Sequence, residues 1–73
     1  MALVKSMSKM TKNVRVHGTV DATYTVFVKG GEKYIQINTY GSKERQVKGV
    51  ASQSIQFNKS SVRQLLEIIG NEF

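Results

Sequence analysis

The segment from Tyr34 to Tyr40 alternates so that aromatic and amide side chains would share one side of a strand. Successive strand residues point to opposite faces, which places Ile35, Ile37 and Thr39 together. A half-buried strand of this kind keeps one face free, and flat rings beside amides are typical of a surface that stacks on unpaired nucleobases. The residues expected on that free face are Tyr34, Gln36, Asn38 and Tyr40.

The loop after this strand is basic. Within residues 41–49 it carries Lys43, Arg45 and Lys48 against a single glutamate. A charged loop is most often simply solvated. This one borders the aromatic face, so we expect its three cations to contact phosphates, which gives affinity without reading sequence. Arg15 and Lys33 are expected to contribute in the same way.

Charge and composition narrow the class of protein. Eleven Lys and Arg against five Asp and Glu give the 73 residues a formal charge of +6, and nine of the eleven basic residues precede residue 50. This polarised charge favours nucleic acid over an anionic membrane as partner. The alternative is a surface charged only for solubility. We expect single-stranded DNA, with RNA as an alternative, and no membrane.

No group of residues has the composition of an active site. The five acids are scattered, His17 is the lone histidine and there is no cysteine. Paired carboxylates, a nucleophile with its base and a zinc ligand set are therefore all missing from the pattern. We expect no catalysis, no metal and no cofactor, and a cytoplasmic location, since the lack of cysteine suits a reducing compartment.

The pattern predicts an α+β fold, a four-stranded antiparallel sheet followed by one C-terminal helix (ββββα). The first strand is expected over residues 14–20, with Asp21 and Ala22 as a short connection. The second, Thr23–Lys29, has Phe27 and Lys29 on the free face; the opposite phase would put Tyr24 there. Residues 1–12 are expected to be a flexible basic arm before a single domain, 13–73.

Two further elements follow from local signals. Gly30-Gly31 predicts a two-residue hairpin turn that makes the second and third strands antiparallel neighbours. A fourth strand is expected over Ser52–Phe57, with Asn58 as the N-cap of the helix. A domain this small is marginal alone, so we expect a homodimer joined through the apolar stripe of the helix: Val62, Leu65, Leu66, Ile69 and Phe73.

From Lys33 onward the chain resembles the positive-cofactor-four family of transcriptional coactivators and its small prokaryotic and phage relatives. The likeness lies in the strand Tyr34–Tyr40, the Lys48-Gly49 of the basic loop, the short strand Ser54–Phe57 and the amphipathic helix. It implies a dimer joined through its helices, with two sheets forming a groove for single-stranded DNA.

On that resemblance, Tyr40 matches the aromatic that ends the family's strand, and Phe27 and Lys29 match aromatic and basic positions of the groove. Asn38 stands where the family often has arginine. The expected function is largely sequence-independent binding of single strands in DNA transactions or transcription. A small protein-interaction adaptor or inhibitor and a double-stranded DNA regulator are the alternatives.

Overall fold

The computed structural model describes residues 1–41 and 51–73. Within these ranges the elements are β1 (Ala2–Val4), β2 (Asp21–Lys29), β3 (Glu32–Tyr40), β4 (Gln53–Asn58) and α1 (Lys59–Glu72). They form a sheet of order β1-β4-β3-β2. The ββββα order and the α+β class are confirmed. The sheet is mixed rather than wholly antiparallel, because β1 runs parallel to β4.

The first strand is not where the sequence predicted it. Residues 14–20 form no strand in the described part of the chain, and they are exposed. Asp21 and Ala22, expected to turn the chain, instead pair with Tyr40 and Thr39 as the start of β2. Because Asp21 and Ala22 continue β2, they do not reverse the chain. Residues 14–20 therefore do not fold back to pair with β2.

Ala2–Val4 takes the place of the missing strand and pairs in register with β4. The segment after it is also attached, because the Met7 N–H donates to Gln64 Oε1 at 3.1 Å. Lys9 Nζ lies 3.1 Å from Glu72 Oε2 near the end of α1. Part of the segment expected to be a free arm therefore lies against the sheet and the helix.

The β2–β3 hairpin has the predicted turn. Gly30 and Gly31 have φ angles of 61° and 79°, and they separate Lys29 from Glu32, which are paired. A two-residue turn with positive φ at both positions matches the right-handed twist of the strands it joins, and glycine adopts it without a steric penalty.

The register of this hairpin fixes the phase of β2. Phe27 lies opposite Tyr34, whereas Tyr24 lies opposite Ile37 on the other face. Because directly opposed residues in an antiparallel pair point to the same side, Phe27 joins the ring of Tyr34. Of the two phases that the sequence left open, the one with Phe27 on the free face is confirmed.

Helix α1 starts at a capping box. Asn58 Oδ1 accepts a hydrogen bond from the Ser61 N–H at 2.9 Å, and the Asn58 N–H donates to Ser61 Oγ at 3.0 Å. Asn58 is also the last residue of β4. The predicted N-cap is confirmed, and the chain passes from strand to helix without a linker, with α1 packing on β4 and β3.

The core of a single chain is small. Among the described residues, Phe57 is the one buried hydrophobic side chain. Because α1 covers only β4 and β3, the side of β2 that faces the helix stays open, and Tyr24 is 71% exposed there. On α1, Leu66 is 62% exposed. One copy of the chain therefore leaves apolar surface uncovered on both its sheet and its helix.

Replacing the N-cap tests how much α1 depends on this junction. Asn58→Ala removes the side-chain oxygen that accepts from the Ser61 N–H and keeps the backbone N–H that donates to Ser61 Oγ; we expect it to lower the free energy of unfolding by about 1 kcal/mol. Urea unfolding at fixed protein concentration measures the loss. Ser60→Ala is the matched control, because Ser60 is exposed in the same turn. Equal losses in the two variants would contradict the role of the capping box.

Candidate nucleic-acid interface

The sheet face opposite α1 is here named the polar face. It lies away from the cavity in which Phe57, Ile35 and Val62 meet between sheet and helix. Its members follow from the strand registers and alternate along each strand. They are Leu3 on β1, Asp21, Thr23, Thr25, Phe27 and Lys29 on β2, Glu32, Tyr34, Gln36, Asn38 and Tyr40 on β3, and Ser54, Gln56 and Asn58 on β4. The charged members are one cation, Lys29, and two acids, Asp21 and Glu32.

Two aromatic rings stack at the hairpin end of the polar face. The centroids of Phe27 and Tyr34 are 5.3 Å apart, with 18° between the ring planes. Both side chains are half-buried. A stacked pair stabilises its own geometry by about 0.5–1.5 kcal/mol beyond the area that it buries. The pair therefore forms a fixed flat surface, part of which is open to a ligand.

Beside the rings, a chain of side-chain hydrogen bonds crosses from β4 to β3. Gln56 Nε2 donates to Gln36 Oε1 at 2.8 Å, and Gln36 Nε2 donates to Asn38 Oδ1 at 2.9 Å. Ser54 Oγ donates to the same Asn38 oxygen at 2.7 Å. These bonds run both along β3 and across to β4, so the amides are held in defined orientations.

Asn38 extends this network to β2. Its Nδ2 donates to Thr23 Oγ1 at 3.4 Å, and that hydroxyl lies 3.1 Å from Tyr40 Oη. The network thereby fixes the ring of Tyr40 at the end of β3 away from the hairpin. In these side-chain bonds Gln36 uses one of its two N–H groups and one of two lone pairs, which leaves half its capacity for solvent or a ligand.

The predicted cations are distributed less evenly than expected. Lys29 lies on the polar face, two residues beyond Phe27 and paired across the turn with Glu32. Lys33 lies on the opposite face, next to the start of α1. Arg15 is exposed in the segment before β2. The structure therefore brings Lys29 to the rings and places Lys33 on the opposite face of the sheet, whereas Arg15 belongs to no strand.

The three loop cations, Lys43, Arg45 and Lys48, lie outside the described residues. On either side of the loop, Thr39 and Ser52 are joined by a hydrogen bond: the Ser52 N–H donates to the Thr39 carbonyl at 2.9 Å. The loop therefore leaves and rejoins the sheet at the Tyr40 end, opposite the hairpin. Its contact with phosphates remains a prediction.

Sequence reasoning missed Thr23 and Ser54 as members of the site. Both are short hydroxyl side chains, and neither has a pattern of its own that marks it as functional. The registers place them on either side of Asn38, in β2 and β4. The position of Thr23 could have been predicted from the sequence. The two-glycine turn sets which β2 residue lies opposite each β3 residue, and it places Thr23 opposite Asn38.

The five residues predicted for the dimer interface fall into two groups. Val62 and Leu65 are half-buried against the sheet, whereas the other three are exposed. Val62 lines a cavity of about 390 Å³ together with Val26 of β2. Residues four and seven positions after Val62 share its side of the helix, so the exposed stripe of α1 borders the uncovered part of β2.

This continuous apolar surface is here named the open strip. It comprises the uncovered side of β2, where Tyr24 lines a shallow cavity of about 260 Å³ with Ile35 and Ile37 of β3, and the exposed stripe of α1. Its exposed members are Tyr24, Val26 and Val28 on β2, and Leu66, Ile69 and Phe73 on and after α1.

Comparison of the chain with known proteins finds no matching family, curated relative or solved structure. In residues 1–41 and 51–73, no helix is long and apolar enough to cross a membrane. The same ranges contain no cluster of three or more His, Asp or Glu side chains that could hold a metal ion. The resemblance to the positive-cofactor-four family stays a prediction.

Proposed function

We propose that the protein is a homodimer that binds single-stranded nucleic acid, chiefly DNA, with little sequence preference and without catalysis. The observation that carries this proposal is the stacked pair of Phe27 and Tyr34 beside a hydrogen-bonded amide network on an uncovered sheet face. The net charge of +6 supplies attraction for a polyanion. Rings for bases and cations for phosphates are the two requirements of such a site.

The dimensions of the polar face suit a short stretch of unpaired strand. From Tyr34 to Tyr40 the six steps of β3 span about 20 Å, which is room for several nucleotides. Bases would stack on the rings at the two ends, and the amides between them would meet base edges. Since every base has a flat face, stacking of this kind tolerates any sequence.

A single strand fits this face better than a duplex. The bases of a duplex are stacked on one another and present only their edges in the grooves, where a helix or a two-stranded ribbon reads them. On the polar face the three aromatic side chains, Phe27, Tyr34 and Tyr40, are half-buried within a broad sheet rather than carried on a projecting element. Rings held in this way can meet the faces of bases only when those bases are unpaired.

The dimer is supported by surface area. The chain exposes 6621 Å², whereas a compact protein of 8.2 kDa exposes about 4,500 Å². The excess of about 2,000 Å² is larger than the roughly 800 Å² that each partner buries in a stable interface. Residues 8–20, which are exposed throughout, contribute to the excess; the surface that a second copy would cover is the open strip, whose exposed side chains are apolar.

A second copy of the chain is the occupant that the open strip fits. The strip offers both an apolar helix stripe and an apolar sheet surface, so two copies can each lay α1 on the other's β2. Such an interface is isologous and closes at two copies. It lies on the side of the sheet away from the polar face, so both polar faces of the dimer stay free for nucleic acid.

The open strip also favours the adaptor function as a second candidate, since an exposed apolar surface suits a protein partner. In that case the strip would bind a different protein, and the chain alone would be monomeric. The mass of the protein in solution separates the two candidates.

Substitution of Tyr34 tests the stacking surface. Tyr34→Ala removes the half-buried ring that stacks on Phe27 and should weaken binding of a fluorescent oligothymidylate by about 1–3 kcal/mol, or roughly 5- to 150-fold. Tyr34→Phe is the matched control; it keeps the ring and should bind like the wild type. Fluorescence anisotropy gives the affinities, and circular dichroism checks the fold. Unchanged binding by Tyr34→Ala would contradict the stacked rings as a binding surface for bases.

A charge placed in the open strip tests the dimer. Leu66→Glu puts a carboxylate into the proposed apolar interface and should convert the dimer to a monomer of 8.2 kDa. Asn71→Glu adds the same charge at another exposed position of α1 and should leave the dimer intact. Light scattering after size-exclusion chromatography measures the masses. A monomeric wild type would contradict the homodimer and favour the adaptor.

A further inference from the structure

An open cavity of about 680 Å³ lies where the hairpin meets the start of α1. Three of the side chains that line it are cationic: Lys33 at the start of β3, and Lys59 and Arg63 in the first two turns of α1. Glu32 and Glu67 also line it, which leaves one net positive charge. Apart from Glu32, which lies on the polar face opposite Lys29, none of these residues belongs to the polar face or the open strip.

The charges on this part of α1 are unfavourable for the helix itself. Lys59 is the first helical residue and no acid lies in the first turn, so a cation sits at the end of the helix dipole that prefers anions. Lys59 and Arg63 are four residues apart on one helix face, where like charges repel, and Glu67, four residues after Arg63, offsets this for Arg63 only. A bound anion would relieve both repulsions.

The three cations are also not engaged elsewhere. Among residues 1–41 and 51–73, one ion pair has its nitrogen and oxygen atoms within 4.0 Å of each other, that between Lys9 and Glu72. Lys33, Lys59 and Arg63 have no carboxylate partner at that distance in the described part of the chain. Their charges are thus available to a ligand that enters the cavity.

The cavity lies next to the stacked rings, around the end of the sheet. Lys33 precedes Tyr34 in β3, and Asn58, which also lines the cavity, is paired with Tyr34 from β4. The way between the two sites runs over the hairpin turn. At Gly30 and Gly31 no described atom lies within 4 Å of where a side chain would begin, so the two turn residues themselves present no side chain or close neighbour to a strand.

We propose that this cavity binds backbone phosphates of the same single strand whose bases stack on the polar face. The strand leaves the rings of Phe27 and Tyr34, passes over the hairpin and places its next phosphates against Lys33, Lys59 and Arg63. This inference rests on the proposed function. It adds the direction in which the strand continues beyond the rings and the residues that contact its phosphates there.

The test compares two pairs of substitutions that remove the same charge. Lys59→Gln with Arg63→Gln removes the helix cations of the cavity, and Lys5→Gln with Lys12→Gln is the control in the N-terminal segment. Binding of fluorescent oligothymidylates of about four and about sixteen nucleotides is measured by anisotropy across salt concentrations. The short oligomer reaches only the rings, whereas the long one also reaches the cavity.

On the long oligomer, the cavity variant should lose about 1.4 from the slope of log affinity against log salt, because two phosphate contacts are lost. Its affinity at low salt should fall on the order of tenfold. On the short oligomer it should bind like the wild type. Lys59→Arg with Arg63→Lys, which keeps both charges, should retain the wild-type slope, and circular dichroism of the cavity variant checks that it is folded.

Equal losses in the cavity variant and the control, or a loss that does not depend on oligomer length, would overturn the phosphate path. In either of those cases the wild type still binds single strands, and the proposed function stands. A wild type that binds neither oligomer overturns both. The two failures are therefore distinguishable.

Discussion

One short helix cannot cover a four-stranded sheet, and the rest of the molecule depends on that constraint. Helix α1 packs on β4 and β3 and buries a single hydrophobic side chain, Phe57, among the described residues. In residues 1–41 and 51–73, α1 therefore leaves one face of the sheet uncovered, together with about half of the other. These two uncovered regions differ in chemistry: the first is polar and aromatic, and the second, the open strip, is apolar. They suit two kinds of partner, a nucleic acid and a second copy of the chain.

The polar face is ordered before any ligand arrives. The network through Gln36, Asn38 and Thr23 connects three strands, and the rings of Phe27 and Tyr34 hold each other in a stack. A surface ordered in this way loses little side-chain entropy on binding. The free energy gained from each new contact is therefore reduced less by the cost of ordering side chains. In our account the rings supply affinity for bases, while cations at the edges of the sheet supply affinity for phosphates.

Much of this arrangement could be predicted, because strong local signals set it. The two glycines of the turn fix the hairpin and its register, and Asn58 marks the start of α1. The first strand could not be predicted, since alternation over residues 14–20 shows that a segment is able to form a strand, not that an edge is free to receive it. Ala2–Val4, three residues long, is too short to give a pattern. For Lys33, strand alternation alone already places the side chain opposite to Tyr34.

The most direct test of the account is the choice between unpaired and paired nucleic acid. The wild-type protein is titrated against a fluorescent single-stranded oligonucleotide and against its duplex at several salt concentrations. We expect tighter binding to the single strand at every salt concentration, with affinity that falls as salt rises. Equal or tighter binding to the duplex, or no binding to either, would contradict the polar face as a site for unpaired bases.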